Sequence, residues 1–324
     1  MWSFARVVGK GDRKLVRLAP GRDLGEGKTH QRIPVKSYHD IAGDGGSDVL
    51  GQVVAKRARI AESLADVRSM VAIGSGKGGV GKSTLTMQLA QALGAGGSRV
   101  AILDADLNGP TQARLGGLRA APVLPGPRGL VPPRTASGIG VVSMGALVPE
   151  GEAVDFDSVA RGDSYVWRAT REFAAFGDLL AGVGWGALDF LLVDLPPGAE
   201  RTFQYAEFLG AAAAFVLVTI PSDVARGVVS RAVAAMRKTP NRILGYVENM
   251  SGYYCEGCGG IRPLFPAAST AIDLGIPRLG AVPFDPELAA ACDGGATLAD
   301  AGRPALRAIG AVAAEIARLL EVRG

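Results

Sequence analysis

The apolar residues of this chain follow two rhythms. Short, nearly continuous apolar runs fall at 70–74 (MVAIG), 99–106 (RVAILDAD), 138–145 (GIGVVSMG), 189–197 (DFLLVDLPP), 213–220 (AAFVLVTI) and 243–249 (ILGYVEN). Runs of that length without alternation predict strands covered on both faces, hence a mostly parallel sheet. Stretches of helical spacing separate several of them, among them KSTLTMQLAQALGA and DVARGVVSRAVAAMRK. These are the crossovers that parallel strands require. The prediction is a three-layer α/β fold, a mostly parallel sheet with helices on both faces.

Two further segments have helical spacing. Residues 52–69 place Val53, Ile60, Leu64 and Val67 on one side, and 303–324 carry a stripe of Leu306, Ile309, Val312 or Ala313, Ile316 and Leu319/Leu320. The polar faces of the second mix Arg307, Glu315 and Arg318. A membrane-surface helix would be dominated there by Lys and Arg, so this one is expected to pack on a core. Residues 107–137 are rich in Gly and Pro and predict an irregular stretch, of the kind that lies near functional sites in α/β folds. The Gly- and Asp-rich segment 42–51 marks a soft boundary. It divides a basic N-terminal arm, residues 1–45, from a single α/β domain over 46–324. In the arm, RVVGK and KLVRL flank a Gly-Asp pair, a hairpin pattern.

Composition narrows the classes. Apolar residues are 48% of the 324 and charged residues 20%, as in a chain with a sizeable core. Nine of the 35 Lys/Arg and four of the 31 Asp/Glu lie in residues 1–40, which leaves 26 against 27 for the body. The body is therefore not a basic nucleic-acid binder. The basic N-terminus has no apolar block, and the longest apolar run, 209–220, is too short to span a bilayer and ends at Pro221. Three cysteines point to a reducing compartment. The expectation is a cytoplasmic protein with neither a membrane nor a specific nucleic acid as partner.

The strongest motif is Gly76-Lys77-Gly78-Gly79-Val80-Gly81-Lys82-Ser83-Thr84, between an expected strand and an expected helix. Its glycines let backbone N–H groups turn onto phosphate oxygens at a helix N-terminus. Lys82 is the candidate for the β/γ-phosphates and Ser83 for Mg²⁺. Lys77 cannot share the position of Lys82, so its expected target is a phosphate on a facing subunit, in the manner of an arginine finger. The carboxylates of LDADLNGP and FLLVDLPPG end strands. Asp194 is the expected Mg²⁺-side acid, Asp106 the better candidate to orient water or a Mg²⁺ shell, and Asp104 structural. Gly198 is expected to offer its N–H to a γ-phosphate.

Cys255 and Cys258 form a CxxC among glycines, and Cys292 stands alone as a small core residue. Four thiolates are the usual complement of a zinc or iron–sulfur site. One pair per chain leaves a shared site or a redox pair open, and the chain has no thioredoxin-like context.

The GKGGVGKS loop resembles the deviant P-loop of the dimeric ATPases that include MinD, ParA and the nitrogenase iron protein. More closely, GSGKGGVGKST, ILDADLNGP, WGALDFLLVDLPPG, VENMSGYYCEGCG and LGAVPFDPEL follow one another as in the Mrp (ApbC-type) ATPases. The match covers roughly residues 52–300. The resemblance implies an ATP-hydrolysing iron–sulfur carrier that bridges one [4Fe-4S] cluster between two copies through Cys255 and Cys258, and delivers it to apoproteins. It also implies that Asn249 reads the adenine. A zinc bridge would use the same thiolates, and only the resemblance favours iron. A MinD/ParA-like positioning ATPase needs no CxxC, and a nitrogenase-iron-protein-like electron donor draws its cysteines from two segments. The chain departs from the family at Ala199-Glu200-Arg201, where T-G-D is usual, so slow hydrolysis is expected. It departs again at WRAT (167–170) and FPAAS (265–269).

Overall fold

The computed structural model describes residues 5–8, 14–16, 49–107, 109–118, 121, 123–143, 153–155, 165–265, 273–297 and 302–321. The chain falls into two compact units, one of residues 67–122, 132–149 and 187–324, the other of 1–66, 123–131 and 150–186.

In the larger unit the apolar runs become β1 (Val67–Ser75), β2 (Val100–Asp104), β3 (Gly140–Val142), β4 (Leu188–Asp194), β5 (Ala213–Thr219) and β6 (Arg242–Cys255). Two short strands follow, β7 (Gly260–Arg262) and β8 (Arg278–Phe284). The sheet order is β7-β6-β5-β1-β4-β2-β3, with β8 on the other side of β6. Every pair is parallel except β6 with β7. The helices are α1 (Lys82–Ala95), the short α2 (Gln112–Leu115), α3 (Ala199–Leu209), α4 (Asp223–Met236), α5 (Pro286–Asp293) and α6 (Pro304–Glu321).

The inner strands read as continuous apolar runs because both their faces are covered. All seven residues of β5 are buried, and Val71, Ile73, Ile102, Leu191, Val216 and Val218 are essentially sealed. Full burial of such a side chain contributes about 1.5–3 kcal/mol, so this layer dominates the stability of the unit. The stripe expected on the last helix is buried at Ile309, Val312, Ala313 and Ile316. Among the described residues no helix is long and apolar enough to cross a membrane.

Parallel pairing brings the C-terminal ends of the strands to one edge, where ligands of open α/β sheets bind. Asp104 stands opposite Asp194, and Ile73 opposite the same residue on the other side. β6 runs beyond that edge. It bends at Met250, whose φ of 53° is the only positive value of a non-glycine among the described residues, and its register against β8 slips between Asn249 and Tyr253.

The stretch 107–137 contains α2 and a two-stranded ribbon, Leu124–Gly126 with Gly129–Val131. That ribbon belongs to the smaller unit, together with the helices Val49–Ser63 and Tyr165–Gly182. Lys56 on the first helix joins Asp178 and the Ala174 carbonyl on the second, at 3.0 and 2.6 Å. Ala5–Val8 pairs antiparallel with both Lys14–Val16 and Ala153–Asp155. The remainder of the arm, most of the soft boundary, residues 144 and 145 of the third expected strand and residues 266–269 of FPAAS lie outside the described residues, as do the side chains of WRAT.

Candidate functional site

The phosphate loop leaves β1 at Ser75, whose hydroxyl donates to the Lys77 carbonyl at 3.0 Å. Gly79 and Gly81 take φ of 77° and 76°, the left-handed region that L side chains avoid. A Cβ at Gly81 would also collide with the Asn249 side-chain amide. Gly81 is the N-cap of α1 and supplies no capping side chain, so the first amides of the helix are left for an anion. The strand–loop–helix arrangement therefore fits a phosphate. Gly76, Gly78 and Val80 complete the turn, with Ser83 and Thr84 half-buried in the first turn of α1.

Lys82 points to the strand edge. Its side chain is 7% exposed, and its Nζ lies 2.5 Å from Asp194 Oδ1 and 3.3 Å from Ser83 Oγ. Asp194 is fully buried and accepts from Thr86 Oγ1 (3.3 Å) and from Gln112 Nε2 (2.8 Å). The same Gln112 nitrogen reaches the Ser83 carbonyl at 2.9 Å. Gln112 escapes a sequence reading because its partners lie far along the chain and no local pattern marks it.

Asp104 pins the loop that leads into α2. Its carboxylate accepts from the Thr111 and Gln112 amides (2.9 and 3.0 Å), from Ser143 Oγ (2.9 Å) and from the Asp106 amide (3.2 Å). Burial, then the charge of Asp194, pushes its carboxyl up to about 7. Asp106, half-buried, closes the next turn by accepting from the Gly109 amide at 3.1 Å.

Two of the expected residues are engaged within the protein itself. The Gly198 N–H, expected to serve a γ-phosphate, donates to the Ser75 carbonyl at 3.0 Å. With φ 118° and ψ 140° at the start of α3, the glycine turns its amide back onto β1. Asn249 Nδ2 donates to the Val80 carbonyl at 2.8 Å, so β6 is tied to the phosphate loop. Glu200 is exposed on α3, facing Gln204 at 3.4 Å. Lys77 is half-buried on the loop.

The CxxC occupies the tip of the β6–β7 hairpin. Cys255 pairs with Gly260 across the ladder, and residues 256–259 make the turn, with Gly259 at φ 65°. Cys258 is exposed, and Arg262 Nη2 lies 3.6 Å from its sulfur. The Gly260 amide, then Arg262 and Cys255, hold the Cys258 thiol below its usual range. Thiolate character suits soft metals. Among the described residues no group of three or more His, Cys, Asp or Glu could hold a metal ion, so the hairpin presents two thiols with no further such ligand gathered beside them among those residues. His30 and His39 lie outside the described residues. Cys292 is buried in the core, where Gln88 Nε2 donates to its sulfur at 3.1 Å and burial pushes its thiol up.

The model of the ParA-type NUBPL iron-transfer P-loop NTPases matches residues 66–317. A cytosolic Fe-S cluster assembly factor, CFD1, of Eremothecium gossypii is 39% identical over 236 residues, which are 69% of this chain and 80% of the relative. An iron-sulfur cluster carrier protein of Saccharolobus solfataricus is 34% identical over 248 residues, covering 75% and 80%. Among solved structures, a nucleotide-binding protein of Archaeoglobus fulgidus in complex with ADP is 32% identical, with a TM-score of 0.61, over 74% of this chain and 90% of that one.

Proposed function

The chain belongs to the NUBPL-type iron-transfer P-loop NTPase family, and from that premise we propose an ATP-dependent carrier that holds a [4Fe-4S] cluster between two copies of itself and delivers it to apoproteins. The observation that carries the reading is the path of β6. One strand bonds the phosphate loop through Asn249 and ends in the thiol hairpin six residues later. A ligand that moves the loop therefore acts on the element that presents Cys255 and Cys258.

In this reading the amides of Gly76–Thr84 and the Lys82 ammonium bind the phosphates, and Asn249 faces the adenine. Lys82 leaves Asp194 for the phosphates, since ATP brings the greater negative charge. Ser83 and Asp194 would hold Mg²⁺, with Asp106 beside it. The fit is supported by the Lys82 ammonium, a cation that already bridges Ser83 Oγ and Asp194 Oδ1. When bound, Mg²⁺ supplies charge neutralisation at the phosphates. Hydrolysis is slow, because an exposed Glu200 stands near the position of a usual aspartate. Two CxxC pairs meeting on a twofold axis give the four thiolates of a cubane cluster, and its exposure there suits cargo that must leave.

Reconstitution without oxygen should give a brown protein with about four iron atoms per dimer. Cys255→Ala or Cys258→Ala should lose the iron while ATP binding survives. A colourless protein with one zinc per dimer, or iron retained in both variants, would overturn the carrier reading.

A further inference from the structure

Arg303 lies just before α6 and is remote in sequence from both sites, yet its guanidinium is the most heavily bonded charge at the hairpin. Its side chain is 10% exposed. Nε and Nη2 grip Asp285 at 2.7 Å each, and Nη1 takes Glu287 at 2.5 Å. The remaining direction of Nη2 reaches Glu256 at 2.6 Å. The guanidinium carbon also stands 5.3 Å from the centre of the Tyr254 ring.

Asp285 is a firm anchor. Its Oδ1 also caps α5, accepting from the Glu287 and Leu288 amides at 3.1 and 3.2 Å. Arg303 is thus fixed to the body on one side and to both neighbours of Cys255 on the other. The guanidinium stands over the ring of the residue before the thiol, and the ion pair holds the residue after it. Only a planar five-donor fork can serve Asp285 twice, Glu287 and Glu256 at once.

We propose that Arg303 is a positioning residue for the thiol pair: by bracketing Cys255 through Tyr254 and Glu256 it sets how firmly the hairpin presents its two sulfurs, and so how long it keeps its cargo. This rests on the carrier reading. Flexible turns let ligands leave one at a time, whereas a clamped turn keeps both thiols at one spacing. The clamp can be released without moving a ligand, which is what a carrier needs at handover.

Glu256→Gln is the informative variant, because Arg303→Gln strands the buried Asp285 carboxylate and endangers the fold. Glu256→Gln leaves the grip on Asp285 intact, and Arg303→Lys keeps a cation for Asp285 while losing the fork. Hydrogen exchange of the amides of residues 255–260 in the apoprotein should quicken about two- to fivefold in either variant, as expected for an ion pair with one exposed partner. Loss of reconstituted iron to a chelator should quicken by a similar factor, with ATP affinity unchanged. In the double variant the effects should fall short of their sum, because both variants lose the same Arg303–Glu256 pair and only Arg303→Lys also disturbs the Tyr254 contact, whereas a merely structural arginine would give the full sum. Unchanged exchange in Glu256→Gln, or additive effects, would overturn the proposal. A wild-type protein that takes up no iron would overturn the carrier reading, and the exchange comparison on apoprotein would still decide the clamp.

Discussion

Lys82 and Asp194 are both withdrawn from water, so neither tolerates loss of the other. Breaking a buried pair by removing one partner costs about 3–5 kcal/mol, because the remaining charge is left uncompensated. Lys82→Ala should therefore destabilise the apoprotein by that order and also abolish ATP binding. Denaturant melts and isothermal titration check the two effects, and a folded variant that binds ATP normally would remove Lys82 from the site. Asp104 makes a prediction about pH. An unfolded aspartate titrates near about 3.9, whereas the folded carboxyl keeps its proton to about 7, for burial first and for Asp194 second. Between those values the native state binds the extra proton. The stability this group contributes is thus lost as pH rises through 7, and it is constant above. The midpoint of thermal unfolding should fall from pH 5 to 7 more steeply in the wild type than in Asp104→Asn. Equal slopes would show that Asp104 does not titrate there.

Among the elements, the turn from β1 through the glycine loop to α1 is the most constrained. Gly81 combines a left-handed φ with a Cβ position already filled by Asn249. Gly81→Ala should cost about 1–3 kcal/mol in local strain and, by displacing Asn249, weaken ATP binding. A variant with wild-type stability and affinity would show that the loop relaxes freely. Six strands and four helices, α1, α4, α6 and Val49–Ser63, are legible in the sequence, since buried parallel strands are unbroken apolar runs and the helices keep helical spacing. β8 is not, because Pro283 breaks its run, and a proline is tolerated there only because the strand lies at the sheet margin. β7 is three residues long and exists only by pairing with the bent end of β6. At the site, the loop, the strand-end acids and the CxxC are legible as local patterns. Gln112 and Arg303 are not, because their partners Asp194 and Glu256 lie 82 and 47 residues away and only the fold brings them together. The partner of the Gly198 amide is hidden for a related reason, since the sequence displays a flexible glycine but not the Ser75 carbonyl that takes its N–H.

At the scale of the whole molecule, two features would be served by the dimer proposed above. The thiol hairpin offers two of four ligands, and Lys77 is a second loop cation beside Lys82, whose ammonium is taken by Asp194. The proposed isologous dimer would serve both if the twofold axis that joins the hairpins also faces the loops. The prediction is complementation between damaged subunits. Lys77→Ala should leave ATP binding by the isolated subunit nearly intact and suppress hydrolysis, while Lys82→Ala should bind no nucleotide. Each homodimer is then inactive. In a mixed dimer the Lys77→Ala subunit holds ATP and its partner still carries Lys77, so one site of two is whole. Random exchange of subunits should restore about a quarter of wild-type turnover, half of the dimers being mixed and each having one working site. A lysine acting within its own chain predicts no recovery at all, because the ATP-binding subunit is then the one that lacks it. Steady-state ATP hydrolysis by the mixture, measured against each variant alone, separates the two cases, and absence of recovery despite proven subunit exchange would place Lys77 in its own active site.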